Sequence, residues 1–76
     1  MLQLAAPFAA LLARRAVLAS DELAAWDVAD EVFDAYETGA ADFGDRCYWE
    51  DRAREASQAL LAFDRGLATL LLALEA

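Results

Sequence analysis

A heptad pattern in the C-terminal part of this 76-residue chain constrains the fold more than any other feature. Apolar residues recur there at alternating intervals of four and three, at Trp49, Ala53, Ala56, Leu60, Phe63, Leu67, Leu70 and Leu74. Such spacing is typical of the seam along which one α-helix packs against another. The pattern therefore predicts a single long helix over about 45–74.

Two earlier segments are also predicted to be helical. Pro7 suits the first turn of a helix, because backbone N–H groups there make no hydrogen bond within the helix and proline has none to offer. A helix is therefore expected over about 7–19. Ser20 is a good N-cap residue, and the two acids that follow it favour a first turn because of the helix dipole. A second helix is therefore expected over about 21–38, with Gly39 ending it.

The composition favours helices and gives no support for a sheet. Twenty of the residues are alanine, which has the highest helix propensity, and β-branched residues are scarce. We therefore predict an all-α fold with a single helical domain over 1–76. The predicted helices can be arranged in two ways. One is a helical hairpin whose first arm is broken near Ser20, and the other is a small three-helix bundle. The sequence leaves both open.

Additional leucines lie off the heptad seam of the predicted C-terminal helix. Leu61, Leu71 and Leu72 fall at positions b, e and f, where a lone hairpin normally carries polar residues. We predict that they form a homodimer interface, in which two hairpins complete a four-helix bundle. Isolated surface leucines are the alternative interpretation.

The net charge of −8 is concentrated in one segment of the chain. Residues 21–45 contain nine acids and no base. On a helical wheel, apolar residues of the second predicted helix cover one face, and acids cover the opposite face. In a hairpin, Arg52 and Arg54 are expected near Asp30 and Glu31, at the edges of that acidic surface. A surface that only keeps the protein in solution is the alternative to a binding role.

We predict that the acids dock on a basic partner protein. The expected partner-binding residues are Asp27, Asp30, Glu31, Asp34, Glu37, Asp42 and Asp45. Acids three or four residues apart on a helix rise by about 4.5–6 Å, a spacing comparable in scale to successive phosphates. In size and composition the chain is similar to small acidic phage proteins that mimic nucleic acid and inhibit restriction or CRISPR complexes. Phe43 and Tyr48 flank the loop and extend the surface if they are exposed.

Several kinds of chemistry are excluded by composition. The chain has no histidine, no lysine and a single cysteine, which rules out Ser-His, Cys-His and zinc sites. We predict no catalytic residue, no metal and no cofactor. A structural or regulatory homodimer is the second functional hypothesis. The third is a magnesium-dependent enzyme similar to the all-α nucleotide pyrophosphohydrolases, with Glu31, Asp34 and Glu37 as oxygen ligands.

The expected location is the cytoplasm, with no membrane partner. The apolar stretch over 4–13 precedes its positive pair, Arg14 and Arg15, whereas a secretory signal has the opposite order. The uncharged runs are shorter than the ~20 residues that a bilayer requires. Direct binding to nucleic acid is opposed by the negative charge.

Overall fold

Two long helices form an antiparallel hairpin in the computed structural model, which describes the backbone of residues 2–75 and the side chains of residues 6–75. Helix α1 spans Leu2–Glu37 and helix α2 spans Phe43–Glu75. The hairpin measures 57 × 19 × 12 Å along its principal axes. The all-α prediction is confirmed, and of its two arrangements the hairpin is the one observed.

Helix α1 passes through Ser20 without interruption, so the predicted break between helices over 7–19 and 21–38 is wrong. The residues of α1 that lie against α2 keep one heptad register on both sides of Ser20: Leu11, Arg15, Leu18, Glu22, Ala25, Ala29, Val32 and Tyr36. Ser20 itself is exposed and sits in the middle of the helix. A continuous seam packs α1 along one partner, whereas a turn at Ser20 would divide that seam.

Gly39 ends α1, as predicted, through a positive φ of 82°. The Gly39 N–H donates to the Tyr36 carbonyl at 3.1 Å, and the Ala40 N–H donates to the Ala35 carbonyl at 2.8 Å. These two bonds form a Schellman motif, which satisfies carbonyls that the helix end would leave without partners. Glycine adopts the left-handed conformation of this position without the steric cost of a Cβ.

Reciprocal side-chain caps begin α2. The Asp45 N–H donates to Asp42 Oδ1 at 2.7 Å, and the Asp42 N–H donates to Asp45 Oδ2 at 3.3 Å. Asp42 is thus the N-cap and Asp45 the third helical residue, in the arrangement of a capping box. The helix consequently starts at Phe43, two residues earlier than the sequence predicts.

The interface between the helices is small. Among the described side chains, the buried apolar ones are Ala29 and Ala53, at 3% and 0% exposure. Of the eight predicted seam residues in α2, five are at least partly buried, while Trp49, Leu70 and Leu74 are exposed. The hairpin by itself therefore encloses two alanines and few larger side chains.

Polar contacts between the helices fix their register. The Arg15 guanidinium donates from Nε and Nη2 to the two carboxylate oxygens of Asp64, at 2.8 and 3.0 Å. Trp26 Nε1 donates to Ser57 Oγ at 2.8 Å. Near the loop, the Arg46 guanidinium lies 4.6 Å from the centre of the Phe33 ring. Each of these contacts connects α1 to α2, and the three lie at different positions along the hairpin.

Candidate partner-binding site

Five predicted binding residues form one exposed surface on α1, here called the acidic face: Asp27, Asp30, Glu31, Asp34 and Glu37. At about 100° per residue, the first four lie opposite the side of α1 that contacts α2, and Glu37 lies at the edge of that surface. The first and last of them are ten residues apart, which corresponds to about 15 Å along the helix axis. The acidic face is thus a row of carboxylates that points into solvent.

Within residues 6–75, no side chain of the acidic face makes an ion pair. Three arginines of α2, Arg46, Arg52 and Arg54, instead pair with acids of their own helix. Arg46 contacts Glu50 at 3.0 Å, and Arg54 contacts Asp51 at 3.0 Å. Arg52 lies 3.9 Å from Glu55. Arg52 and Arg54 were expected near Asp30 and Glu31, but among the described side chains neither arginine forms an ion pair with them.

The acidic face is unfavourable for the stability of α1. Like charges three or four residues apart repel by roughly 0.2–0.5 kcal/mol per pair, and the face contains several such pairs, among them Asp27 with Glu31 and Asp30 with Asp34. Asp34 and Glu37 also lie in the last turn, where the negative end of the helix dipole disfavours acids and where no base is present. Folding alone does not explain this arrangement.

Asp42 before α2 and Asp45 in its first turn differ from the acidic face because their carboxylates already accept hydrogen bonds. Asp42 and Asp45 are exposed, and each accepts a backbone hydrogen bond from the other. Beside them, Phe43 and Tyr48 are 60% and 52% exposed. The start of α2 thus presents aromatic surface next to the capping carboxylates, at the same end of the hairpin as Glu37.

No group of three acidic or cysteine side chains in the described part of the chain is placed to hold a metal ion. The ligands expected in the magnesium hypothesis, Glu31, Asp34 and Glu37, lie along one helix with their side chains in solvent. The acids at Glu50 and Asp51 pair with arginines. Among the described residues, the expected magnesium ligands are therefore not gathered into one site.

A second exposed surface lies at the end of the hairpin away from the loop, here called the open end. It is defined by residues 6–18 of α1 and 61–75 of α2. The predicted interface residues Leu61, Leu71 and Leu72 are all exposed there, at 50%, 39% and 67%. The structure thus brings these three residues to the same end of the hairpin as the N-terminal part of α1.

Sequence reasoning missed the contribution of α1 to the open end. Phe8, Leu12 and Val17 are exposed there. An apolar cavity of about 290 Å³ is lined by Pro7, Phe8, Leu11, Leu70, Leu71 and Leu74. The apolar composition of 4–13 was a usable signal, but only the hairpin pairing shows which residues of α2 it meets.

The C-terminal helix also has the length and composition of a membrane-crossing segment. An 18-residue window of α2 has a mean hydropathy of 1.3 and at most two charged residues, and no residue of that window is fully buried in the hairpin. Asp64 and Arg65 lie within it. This observation adds to the exposed apolar area of the open end.

The chain matches no family model, no curated protein and no solved structure. The interpretation of both surfaces therefore depends on their own residues.

Proposed function

We propose that the protein is a non-enzymatic binding module whose acidic face docks on a basic surface of another protein. The observation that supports this proposal is the contrast between the two helices. Asp27, Asp30, Glu31, Asp34 and Glu37 are exposed without ion pairs among the described side chains, whereas Glu50, Asp51 and Glu55 of α2 pair with arginines of their own helix. A partner with arginines and lysines would supply the missing cations.

The shape of the acidic face suits a groove that normally holds nucleic acid. Its carboxylates follow each other at steps of about 4.5–6 Å when they are three or four residues apart. A groove lined with arginine and lysine binds phosphates chiefly through charge, and a row of carboxylates offers the same charge at a similar scale. Long-range attraction would also accelerate the encounter at low salt.

The finer proposal is that the protein inhibits a nucleic-acid-binding complex by occupying its basic groove. The concentration of −9 in residues 21–45 supports it, since the rest of the chain is close to neutral. Small size and an acidic helix are features shared with phage inhibitors of the anti-CRISPR and anti-restriction type. The partner in this proposal is a protein, because the charge of the acidic face would repel nucleic acid itself.

The loop enlarges this proposed surface. Phe43 and Tyr48 are exposed beside Asp42 and Asp45, and exposed aromatic side chains frequently anchor protein interfaces. In the docked state, the acids of α1 would set the orientation, while the aromatic rings would supply apolar contact area. Asp42 and Asp45 would contribute charge while they continue to cap α2.

The experiment is affinity capture from nuclease-treated host lysate with three immobilised proteins. They are the wild type, the double variant Asp30→Arg plus Asp34→Arg, and the control Asp21→Arg plus Glu75→Arg. Both variants change the net charge equally, but the control leaves the acidic face intact at exposed sites without ion pairs among the described residues. We expect the wild type and the control to retain the same partner, and the acidic-face variant to lose it.

Two further measurements define the mode of binding. The affinity should fall as salt is raised, and duplex DNA or RNA should compete with this protein for the captured partner. Equal loss of the partner in both double variants would attribute binding to net charge alone. Retention of the partner by the acidic-face variant would contradict the proposal.

A further inference from the structure

The open end exposes large apolar side chains from both helices. They are Phe8, Leu12, Val17, Leu61, Leu70, Leu71, Leu72 and Leu74. The cavity between Phe8 and Leu74 belongs to the same surface. Large exposed apolar side chains concentrated at one end of a hairpin mark an interface more often than scattered surface leucines do.

The total accessible surface of the hairpin supports an interface with a second molecule. The hairpin exposes 5705 Å². A folded monomer of 8.3 kDa is expected to expose about 4600 Å². The difference, about 1100 Å², is more than the roughly 800 Å² that each partner contributes to a standard protein interface. The excess is therefore large enough to supply one side of a standard interface with a second copy of the hairpin.

The distribution of charge restricts how a second copy can approach. Residues 21–45, at the loop half, carry nine acids and no base. The charged residues of the open end are Arg14, Arg15, Asp64, Arg65 and Glu75, which leave it nearly neutral. Two copies with adjacent loops would bring their acidic faces together, whereas two copies joined by their open ends would keep those faces apart.

We infer that the open end is the interface of a homodimer, in which two copies join open end to open end with their loops pointing in opposite directions. The interface is isologous, so each open end both covers its partner and is covered by it. Residues 6–18 and 61–75 of each copy together form a short four-helix bundle. This arrangement gives the apolar side chains a core that the single hairpin lacks.

A second copy fits the open end better than a lipid bilayer does. Asp64 and Arg65 lie within the apolar window of α2, and a charged residue in the centre of a spanning helix costs roughly 2.5–3.5 kcal/mol. Asp64 is also held by Arg15, from the other helix of the hairpin. An interface with a protein partner can leave Asp64 and Arg65 at its rim, where water remains available. The dimer depends on the open end alone and is independent of the proposed role of the acidic face.

The first test measures the mass of the protein by light scattering or sedimentation as its concentration is varied. Leu72→Glu is compared with Leu23→Glu, because Leu72 and Leu23 are equally exposed in the hairpin, at 67% and 68%. Leu23 lies outside the open end. We expect dimers for the wild type and for Leu23→Glu. For Leu72→Glu we expect a dissociation constant at least about tenfold higher, because dimerisation would bury the new charge.

The second test locates the interface in protein that remains folded. Single cysteines replace Ala13 or Ala40 in a Cys47→Ala background, and donor and acceptor dyes are attached to separate samples that are then mixed. Ala13 lies in the open end and Ala40 in the loop, and both are exposed. We expect energy transfer between copies labelled at position 13 and none between copies labelled at position 40, since the hairpin is 57 Å long.

Several outcomes would overturn the inference. A single-chain mass at every concentration, or equal weakening by Leu72→Glu and Leu23→Glu, excludes the open end as a self-interface. Strong transfer between loop labels requires the opposite orientation. A protein that stays monomeric and co-sediments with phosphatidylcholine vesicles through its open end assigns that surface to lipid.

Discussion

Arg15 and Asp64 form the bidentate ion pair that joins the two helices in the open half of the hairpin. The guanidinium donates from Nε at 2.8 Å and from Nη2 at 3.0 Å to separate oxygens of the carboxylate. The hydrogen bond from Arg15 to Asp64, followed by their charge attraction, raises the pKa of Arg15 above its ordinary value. Two parallel bonds fix orientation as well as distance, so this pair sets the register between residues 49 positions apart.

Removal of the ion pair between Arg15 and Asp64 should lower the stability of the fold, because the pair holds the two helices in register. The change in net charge alone should not have this effect. We expect Arg15→Ala to lower the melting temperature by a few degrees, within the range of a partly exposed ion pair. Arg14→Ala is the control, since Arg14 is exposed on the same helix without an ion pair among the described residues. Thermal unfolding at a fixed protein concentration measures both. A cycle with Asp64→Ala should show that the two losses are not additive.

The raised pKa of Arg15 gives this contribution a defined pH range. A group whose pKa is higher in the folded state stabilises the fold while it is protonated in both states. The contribution of Arg15 is therefore complete at neutral pH and is lost in strong alkali, as the pH rises above the ordinary arginine range. Equal effects of Arg15→Ala and Arg14→Ala at neutral pH would mean that the pair contributes nothing.

Substitutions at Ser20 distinguish a continuous helix from two helices joined by a cap. In the interior of α1, Ala should be the most stabilising residue, with Ser next and Gly least, over a range of about 1 kcal/mol. At an N-cap, Ser should be best, Gly only slightly worse, and Ala worst by roughly 1 kcal/mol. Urea denaturation of the wild type, Ser20→Ala and Ser20→Gly measures this order. A Ser20→Ala protein less stable than the wild type would contradict the continuous helix.

The contrast between α1 and α2 shows which features of the helices can be predicted from the sequence and which cannot. The seam of α2 is mostly apolar, from Ala53 to Leu67, and its periodicity alone predicts the helix. The seam of α1 contains Arg15 and Glu22, so its hydrophobic pattern is interrupted near Ser20. Because Arg15 is paired with Asp64 across the interface, a polar residue can occupy the seam. This pairing depends on tertiary structure and has no signal in the local sequence.

The acidic face could be predicted from the sequence more fully than the open end, because the open end depends on contacts between the two helices. The acidic face follows from the sequence once a helix is assumed, because each of its residues lies on one element. The open end combines Phe8 and Leu12 of α1 with Leu71 and Leu72 of α2. Its extent depends on the register between helices, which the sequence does not provide. Local hydrogen bonding also determined the true start of α2, through Asp42 and Asp45.

The capping box at the start of α2 makes separable predictions for Asp42. Loss of the side-chain acceptor in Asp42→Ala should reduce stability by about 1 kcal/mol. Asp42→Asn keeps an oxygen in place without the charge, and asparagine is as good an N-cap as aspartate, so it should retain most of the stability. The two variants are compared by urea denaturation. If Asp42→Asn is as unstable as Asp42→Ala, the charge and not the hydrogen bond to the Asp45 N–H stabilises the cap.

Asp42→Asn also separates the structural role of Asp42 from its proposed role in docking. Because this variant should fold normally, any fall in affinity for the captured partner reports the missing charge. A fall of a few-fold is expected if Asp42 contributes at the rim of the interface. Unchanged affinity would restrict the docking surface to the acidic face of α1.

Repulsion within the acidic face should make the stability of the protein depend on salt. Raising NaCl from about 0.01 M to 1 M shortens the Debye length from ~30 Å to ~3 Å. Pairs such as Asp27 with Glu31 and Asp30 with Asp34 should then repel less, so the melting temperature should rise. Each pair contributes roughly 0.2–0.5 kcal/mol at low salt, and the several pairs together should shift it by a few degrees. Protein concentration is held constant, because association also changes the melting temperature.

The double charge reversals determine whether this salt effect originates in the acidic face. Asp30→Arg plus Asp34→Arg replaces repulsive neighbours with attractive ones, so it should raise stability at low salt and flatten or reverse the salt dependence. Asp21→Arg plus Glu75→Arg changes the net charge equally but leaves the repulsive pairs of the acidic face intact. It should therefore retain most of the wild-type dependence. A wild type that is indifferent to salt, or two variants with identical salt profiles, would show that the acids of α1 do not strain the fold. The main physical reason for assigning them to a partner would then be lost.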